Sequence, residues 1–156
     1  MADTKSVDVQ LGMEKMGTGI LPALAKTNMC TGMGLFADEN AINLDTLIID
    51  WEIVGWIKRV LRGIEVTERT CDLGIFREVG HGGDFVRSAH TYENFKKETF
   101  LPRIMDRGYL ALDRDPLAKS MRNRIKNIYP KLMKEYVKPD DVSEESLRKI
   151  DAIIAR

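Results

Sequence analysis

Residues 43–62 constrain the fold of this chain more than any other stretch. Leu44, Leu47, Ile48, Trp51, Val54, Ile57 and Leu61 recur at the spacing of one face of an α-helix. Asn43 is placed to accept the first free amide N–H, and Gly63 to end the helix in the left-handed conformation. Asp45, Glu52 and Arg59 repeat at seven-residue steps on another face, and the ordinary use of such a row is a solvated or interface surface. Trp51 lies within the apolar stripe and is expected in the core. Trp56 falls nearer the charged row, where it suits a subunit contact.

The flanking segments carry weaker signals. Val7, Leu11, Met16, Ile20, Leu21 and Leu24 give residues 5–26 a nearly helical pattern. Gly12, Gly17 and Gly19 weaken that helix intrinsically but suit close packing on a neighbour, and Pro22 bends or ends it. Residues 28–36 are short, apolar and bounded by polar residues, which predicts a fully buried strand of the parallel-sheet kind. Gly32 and Gly34 leave one face of that strand bare. Further on, Thr67 is placed to cap a helix over about 68–78, and the turn Gly80, His81, Gly82, Gly83 breaks it. Thr91 is placed to cap a helix over 92–99, with Phe95 and Phe100 as apolar anchors. Helical patterns return at 115–136, Pro139 interrupts them, and Ser143 caps a last helix with Leu147, Ile150, Ile153 and Ile154 on its buried side.

These segments predict a helix-rich α/β chain, organised as residues 1–110 with a helical tail over 111–156. They also pose a problem. A lone buried strand leaves both of its edges unpaired. Either the strand is wrong, or its partners lie on another chain or on a part of the protein outside these residues.

Charge and cysteine usage narrow the function classes. Lys plus Arg and Asp plus Glu both number 24, so the formal net charge is zero. That offers no electrostatic case for nucleic acid or an anionic membrane, and little repulsion to keep copies apart, so a homo-oligomer is expected. Cys30 and Cys71 sit far apart in apolar stretches without Cys/His ligand spacing, which predicts two buried free thiols, no disulfide and no zinc site. The N-terminus lacks the apolar core of a signal peptide, and no apolar run approaches the roughly 20 residues that span a bilayer, so a cytoplasmic protein is expected. The eight methionines are a mild enrichment whose ordinary use is core filling.

The order of several segments resembles one known family. The run from Ile49 through Trp51, Glu52, Trp56, Arg59 and Gly63 to Val66 is similar to a stretch typical of trimethylamine methyltransferases. The opening from Asp3 to Lys15 resembles the family's segment rich in Asp, Ser, Lys, Gln and Gly. Arg77 to Phe85 resembles its glycine turn, His90 and Thr91 match a following His-Thr pair, and Ile150 to Arg156 resembles a family C-terminus. No piece is a strict motif; the collinear set is what is specific. The resemblance implies the C-terminal third of a (β/α)8 TIM barrel with added C-terminal helices. A complete barrel takes roughly 250 residues, so this chain alone cannot close one.

The resemblance also implies an activity for the whole protein: transfer of a methyl group from trimethylamine, or a quaternary amine such as glycine betaine, to the cobalt of a separate corrinoid protein. This chain would then bind no cofactor directly. Its partners would be the corrinoid protein and a small methylated amine, and the chain alone would be inactive. Trimethylamine enzymes of the family carry pyrrolysine, encoded by an in-frame amber codon, at a position shortly upstream of the segment that opens this chain. The expectation is a long gene read as stopping at that codon and restarting at Met1, although a deliberate truncation gives the same chain. The DNA upstream of Met1 tests this: a non-amber stop with no family-like frame behind it removes the idea.

The residues themselves show no G-x-S-x-G, P-loop or dinucleotide glycine pattern. The best local candidate is the loop after the expected strand, since barrel active sites form where strands meet the following loops. A methylated ammonium is a soft cation held by aromatic faces and carboxylates, which Phe36 with Asp38 or Glu39 would supply. An ordinary polar loop is the commoner use of such residues. His81, Gly82 and Gly83 form a second candidate contact for a ligand or partner, against the simpler role of a tight turn. His81 stands where the family more often has proline. His90 is expected to make a structural hydrogen bond. Two further function classes stay open: a non-catalytic helical module that self-associates or docks a corrinoid protein, and an independent small helical protein that shares only ancestry with the barrel.

Overall fold

The computed structural model describes residues 2–109, 120–137 and 143–154. The chain forms two compact units, Met1–Ile125 and Lys126–Arg156. The expected division between 110 and 111, the helical pattern over 115–119 and the break at Pro139 lie outside the described residues.

Helix α1 (Val9–Leu24) starts where the Asp8 carboxylate accepts the Leu11 N–H at 3.3 Å, and it continues through Pro22 into its last turn. The chain then runs through an exposed irregular stretch to β1 (Leu35–Phe36), which pairs antiparallel with β2 (Ala41–Ile42), Leu35 opposite Ile42 and Phe36 opposite Ala41. The buried strand expected over 28–36 is therefore reduced to its last two residues. Gly32 and Gly34 have φ of +86° and +82°, so they turn the chain instead of extending it. The partner strand comes from a few residues downstream, and the supposed lack of one disappears. Cys30 and Cys71 are both free and exposed, not buried, because each lies in this kind of irregular segment.

Helix α2 (Leu44–Arg62) has the ends expected of it. Asn43 Oδ1 accepts the Asp45 N–H at 2.6 Å, and Gly63, at φ +69°, donates its N–H to the Val60 carbonyl at 3.0 Å. Its faces match expectation only in part: Ile48 and Ile57 of the apolar stripe are buried and Val54 is half-buried, but polar residues share the buried side. Thr46, Asp50 and Ile57, about one or two turns apart, are buried, and so is Glu52. Leu44, Leu47, Trp51 and Leu61 of the apolar stripe are exposed. The reason is geometric: α1 packs against the Asp50 and Ile57 side of α2, while residues 103–104 cover Glu52. Gly19 permits the first contact, since Ile57 Cδ1 lies 3.0 Å from where a Cβ would stand. A side chain at Gly12 or Gly17 would meet open space instead.

Helix α3 (Gly74–Val79) is shorter than the span expected from Thr67. Residues 67–71 form a turn closed by the Cys71 N–H on the Thr67 carbonyl, and Asp72 Oδ1 accepts the Gly74 N–H at 2.7 Å to start the helix late. Helix α4 (Ala89–Glu98) is capped by Ser88, whose Oγ accepts the N–H of Thr91, the residue expected to cap it. Helices α5 (Met121–Glu135) and α6 (Glu144–Ile154) follow, α6 starting at Ser143, whose Oγ accepts the Ser146 N–H at 3.2 Å. Ile150, Ile153 and Ile154 of α6 are exposed, against the expectation that they line a buried side.

The buried apolar residues include Leu11, Ile48, Ile57, Ile75, Ile104 and Ile125. The result is a helix-rich chain of α/β class with one two-stranded sheet among the described residues. No described helix is long and apolar enough to cross a membrane.

Candidate functional site

Phe36 ends β1 and is half-buried, and the chain reverses immediately after it. Ala37, Asp38 and Glu39 have φ of +53°, +56° and +63°. Three successive side-chain-bearing residues in the left-handed region cost roughly 1–2 kcal/mol each, so the turn needs external support. It comes from the N-terminal segment. The Ala37 and Asp38 amides donate to the Thr4 and Ala2 carbonyls, both at 3.1 Å, and Ala2 and Thr4 are buried. Asn40 closes the turn from within: its side-chain amide donates to the Asp38 carbonyl at 2.9 Å and to the Ala37 carbonyl at 3.2 Å.

The N-terminal segment is in turn held by α1. Glu14 accepts the Asp3 and Thr4 amides at 2.8 and 3.2 Å, and the Gln10 side chain donates to its other oxygen at 2.7 Å. The Gln10 hydrogen bond first, then that from Thr4, keeps the Glu14 carboxyl below its ordinary pKa. Asp8 is held below its ordinary value in the same way, chiefly by the Ser6 hydroxyl and then by the Leu11 amide. The outcome is a supported turn with two exposed carboxylates, Asp38 and Glu39, next to a half-buried aromatic ring.

Behind this hairpin lies a buried ion pair with no local signal in the sequence. Lys15 Nζ meets Asp50 Oδ2 at 2.8 Å, with the side chains 6% and 8% exposed. The same carboxylate oxygen accepts the Gly34 N–H at 2.7 Å, and Lys15 also donates to the Gly32 carbonyl at 3.2 Å. One pair thus ties α1, α2 and the turn into β1 together. It borders a cavity of about 120 Å³ that Cys30, Thr31 and Ile53 also line. The one available hint is that Lys15 follows Leu11 by one helical turn and so shares its buried face.

The charged row of α2 is not a solvated face. Glu52 is 4% exposed, and its Oε1 accepts the Arg103 and Ile104 amides at 2.7 and 3.0 Å. Arg59 donates to the Glu98 and Gly63 carbonyls, each at 2.8 Å, and pairs with the Glu98 carboxylate at 2.7 Å. Trp51, expected in the core, is 40% exposed and lies under the Arg103 guanidinium, 4.0 Å from its centroid. Trp56 packs on Phe100 with centroids 5.2 Å apart. It also helps line a largely apolar cavity of about 600 Å³ with Val7, Met16, Ile49, Ile53 and Met105.

The second predicted candidate is a turn. His81, Gly82 and Gly83 are exposed in the loop after α3. A Cβ on Gly83 would stand 2.1 Å from the Val79 carbonyl oxygen, so the turn itself requires glycine there. No hydrogen bond or ion pair joins this loop to the β1–β2 hairpin among the described residues. His90 Nε2 lies 3.2 Å from the Arg69 carbonyl, the structural hydrogen bond expected of it. Among the described residues no group of three His, Cys, Asp or Glu is placed to hold a metal ion. Of the predicted residues, Phe36, Asp38 and Glu39 thus lie at one turn between β1 and β2, and His81, Gly82 and Gly83 lie in a separate loop after α3.

The family model for trimethylamine methyltransferase (MTTB) matches residues 1–156. Trimethylamine methyltransferase MttB1 of Methanosarcina acetivorans is 29% identical over 158 residues, which cover 99% of this chain and 31% of that protein. Glycine betaine methyltransferase of Desulfitobacterium hafniense is 28% identical over 156 residues, 99% of this chain and 32% of that protein. Trimethylamine methyltransferase MttB of Methanosarcina thermophila is 34% identical over 90 residues, 58% of this chain and 19% of that protein. The chain spans at most about a third of the length of these relatives.

Proposed function

This chain belongs to the trimethylamine methyltransferase family, and we propose that it serves as one part of an enzyme that moves a methyl group from trimethylamine or a related quaternary amine to a corrinoid protein in the cytoplasm. The observation that carries this reading is the family match over all 156 residues. In it the chain forms the C-terminal part of a (β/α)8 barrel, and the rest of the protein supplies the strands that close it.

The exposed stripe of α2 supports that arrangement. Leu44, Leu47, Trp51 and Leu61 form an apolar face that stays exposed even with the Arg103 guanidinium over Trp51, and α1 exposes Val9, Met13, Leu21 and Leu24 as well. A fold that leaves so much large apolar surface in water is missing a contact.

Within this reading Phe36, Asp38 and Glu39 help hold the methylated ammonium, Phe36 by its ring and the carboxylates by charge. The corrinoid, carried by the partner protein, supplies the cobalt that accepts the methyl group. This chain holds the amine and does not ligate the metal. The isolated chain is expected to show no methyl transfer from trimethylamine or glycine betaine to a corrinoid protein, because it lacks most of the barrel. Measurable turnover by the chain alone overturns the claim that it is one part of the enzyme. Saturation-transfer NMR with trimethylamine is expected to show contact that Asp38→Asn with Glu39→Gln removes, and contact that survives that pair removes the site.

The same exposed stripe favours a second reading, a non-catalytic module that self-associates or docks the corrinoid protein. Light scattering after size exclusion separates the two: a concentration-dependent dimer supports the module, and a monodisperse monomer counts against it.

A further inference from the structure

We propose that a groove along α2 docks an acidic, amphipathic polypeptide segment of a partner. Two adjoining hollows, of about 280 and 350 Å³, share Gly55, Lys58, Phe100 and Leu101. Together they run along α2 from Trp51 to Arg62, a rise of roughly 16 Å at about 1.5 Å per residue. That length suits a stretch of polypeptide better than a small molecule. The floor is apolar: Gly55 carries no side chain, Phe100 is half-buried and Leu101 is exposed.

The rim is basic at both ends. Arg103 stands at one end, stacked on Trp51. Lys58 lies between, and Arg62, Lys96 and Lys97 surround the other end. Lys58, Lys96 and Lys97 are exposed and have no ion pair among the described residues. The nearby acid Glu98 is engaged with Arg59 at 2.7 Å and Arg62 at 3.8 Å. Arg59 and Arg62 in the last turn of α2, and Lys96 and Lys97 in that of α4, complement the helix dipoles. That accounts for where they are, and not for three unpaired ammonium groups around an apolar floor.

The walls of the groove are fixed before anything binds. Glu52 anchors the Arg103 and Ile104 amides, and Phe100 seats over Gly55, where a Cβ would stand 2.8 Å from its ring. Preformed walls lower the ordering cost of docking. The chain as a whole is neutral, so the attraction is local and is felt within about 8 Å at physiological salt. The occupant is therefore a segment with Leu or Ile side chains toward Phe100 and Leu101, and Asp or Glu toward the lysines.

The test is fluorescence anisotropy on the full chain with a fluorescein-labelled amphipathic peptide, Leu on one face and Glu on the other. A matched peptide with Lys in place of Glu serves as the control. The expected result is binding of the Glu peptide alone, weakened about tenfold or more by Lys58→Glu with Lys97→Glu and by raised salt. Leu101→Ser is expected to weaken it as well, through the floor. Unchanged circular dichroism for these surface variants ties the losses to the groove. Equal binding of both peptides, no binding, or indifference to the charge reversal overturns the proposal. Inorganic pyrophosphate displacing the peptide equally well from the wild type overturns it in favour of a small-anion site. Dimerisation abolished by the same reversal overturns it in favour of a second copy of the chain.

Discussion

Helices α2 and α6 carry the same kind of sequence signal and meet different fates. Each starts at the cap its sequence provides, Asn43 for α2 and Ser143 for α6. Each carries an apolar stripe. Yet α2 buries Thr46, Ile48, Asp50, Glu52 and Ile57, while α6 buries no residue. The difference is not intrinsic to the helices. Helix α2 has α1 and residues 103–104 against it, with backbone amides and a lysine to satisfy its carboxylates. Periodicity therefore specifies a helix and a face, but a neighbour decides which face is buried and what that burial is worth.

The sharpest way to break this contrast is to remove a polar partner beneath α2. Lys15→Met leaves the Asp50 carboxylate buried without its cation, and a loss of about 3–5 kcal/mol is expected in urea unfolding. If that variant unfolds at the wild-type midpoint, the pair is not what joins α1 to α2. Glu52→Ala leaves the Arg103 and Ile104 amides without their acceptor, at an expected cost of roughly 1–3 kcal/mol for each donor that stays buried. Gly55→Ala drives a methyl group into the Phe100 ring, and about 1–3 kcal/mol of destabilisation is expected from overpacking, read as a lower melting temperature.

Acid provides a gentler probe of the same region. The folded Glu14 carboxyl titrates below its unfolded value, so its contribution is present in full above the ordinary carboxylate pKa. That contribution is lost as pH falls through the depressed value. Hydrogen exchange at the Ala37 and Asp38 amides, whose acceptors Glu14 helps to hold, is expected to lose protection in that acid window. Protection that is flat through the carboxylate range disconnects Glu14 from the turn. The smallest effect is expected on α6: Ile153→Ser, at 71% exposure, is expected to change stability by less than about 0.5 kcal/mol. A larger loss shows that this stripe is covered in solution after all.

The candidate site was legible only in part. A sequence of Phe36, Ala37, Asp38, Glu39 and Asn40 marks a polar turn, and the turn is there. Nothing in it announces three left-handed residues, because Ala and Glu have no preference for that region. Their support comes from the Ala2 and Thr4 carbonyls, more than thirty residues away in the chain. Lys15 and Asp50 were missed for a similar reason, since a lysine on an otherwise apolar helix face reads as a defect until its acid is found. The cysteines were misjudged because apolar neighbours in sequence are no guarantee of burial when the segment is irregular.

The sequence by itself determined the local events: the caps at Asn43 and Ser143, the Gly63 stop, the existence of helices α1, α2, α4 and α6, and the resemblance that the family match then bore out. These depend on side chains within a turn or so of each other. Only the tertiary structure decided that Asp50 and Glu52 of α2 face inward while Leu44, Leu47, Trp51 and Leu61 of its apolar stripe face water. That outcome rests on contacts across 35 to 52 residues of chain, where a buried carboxylate is tolerated because an amide or an ammonium group from elsewhere meets it.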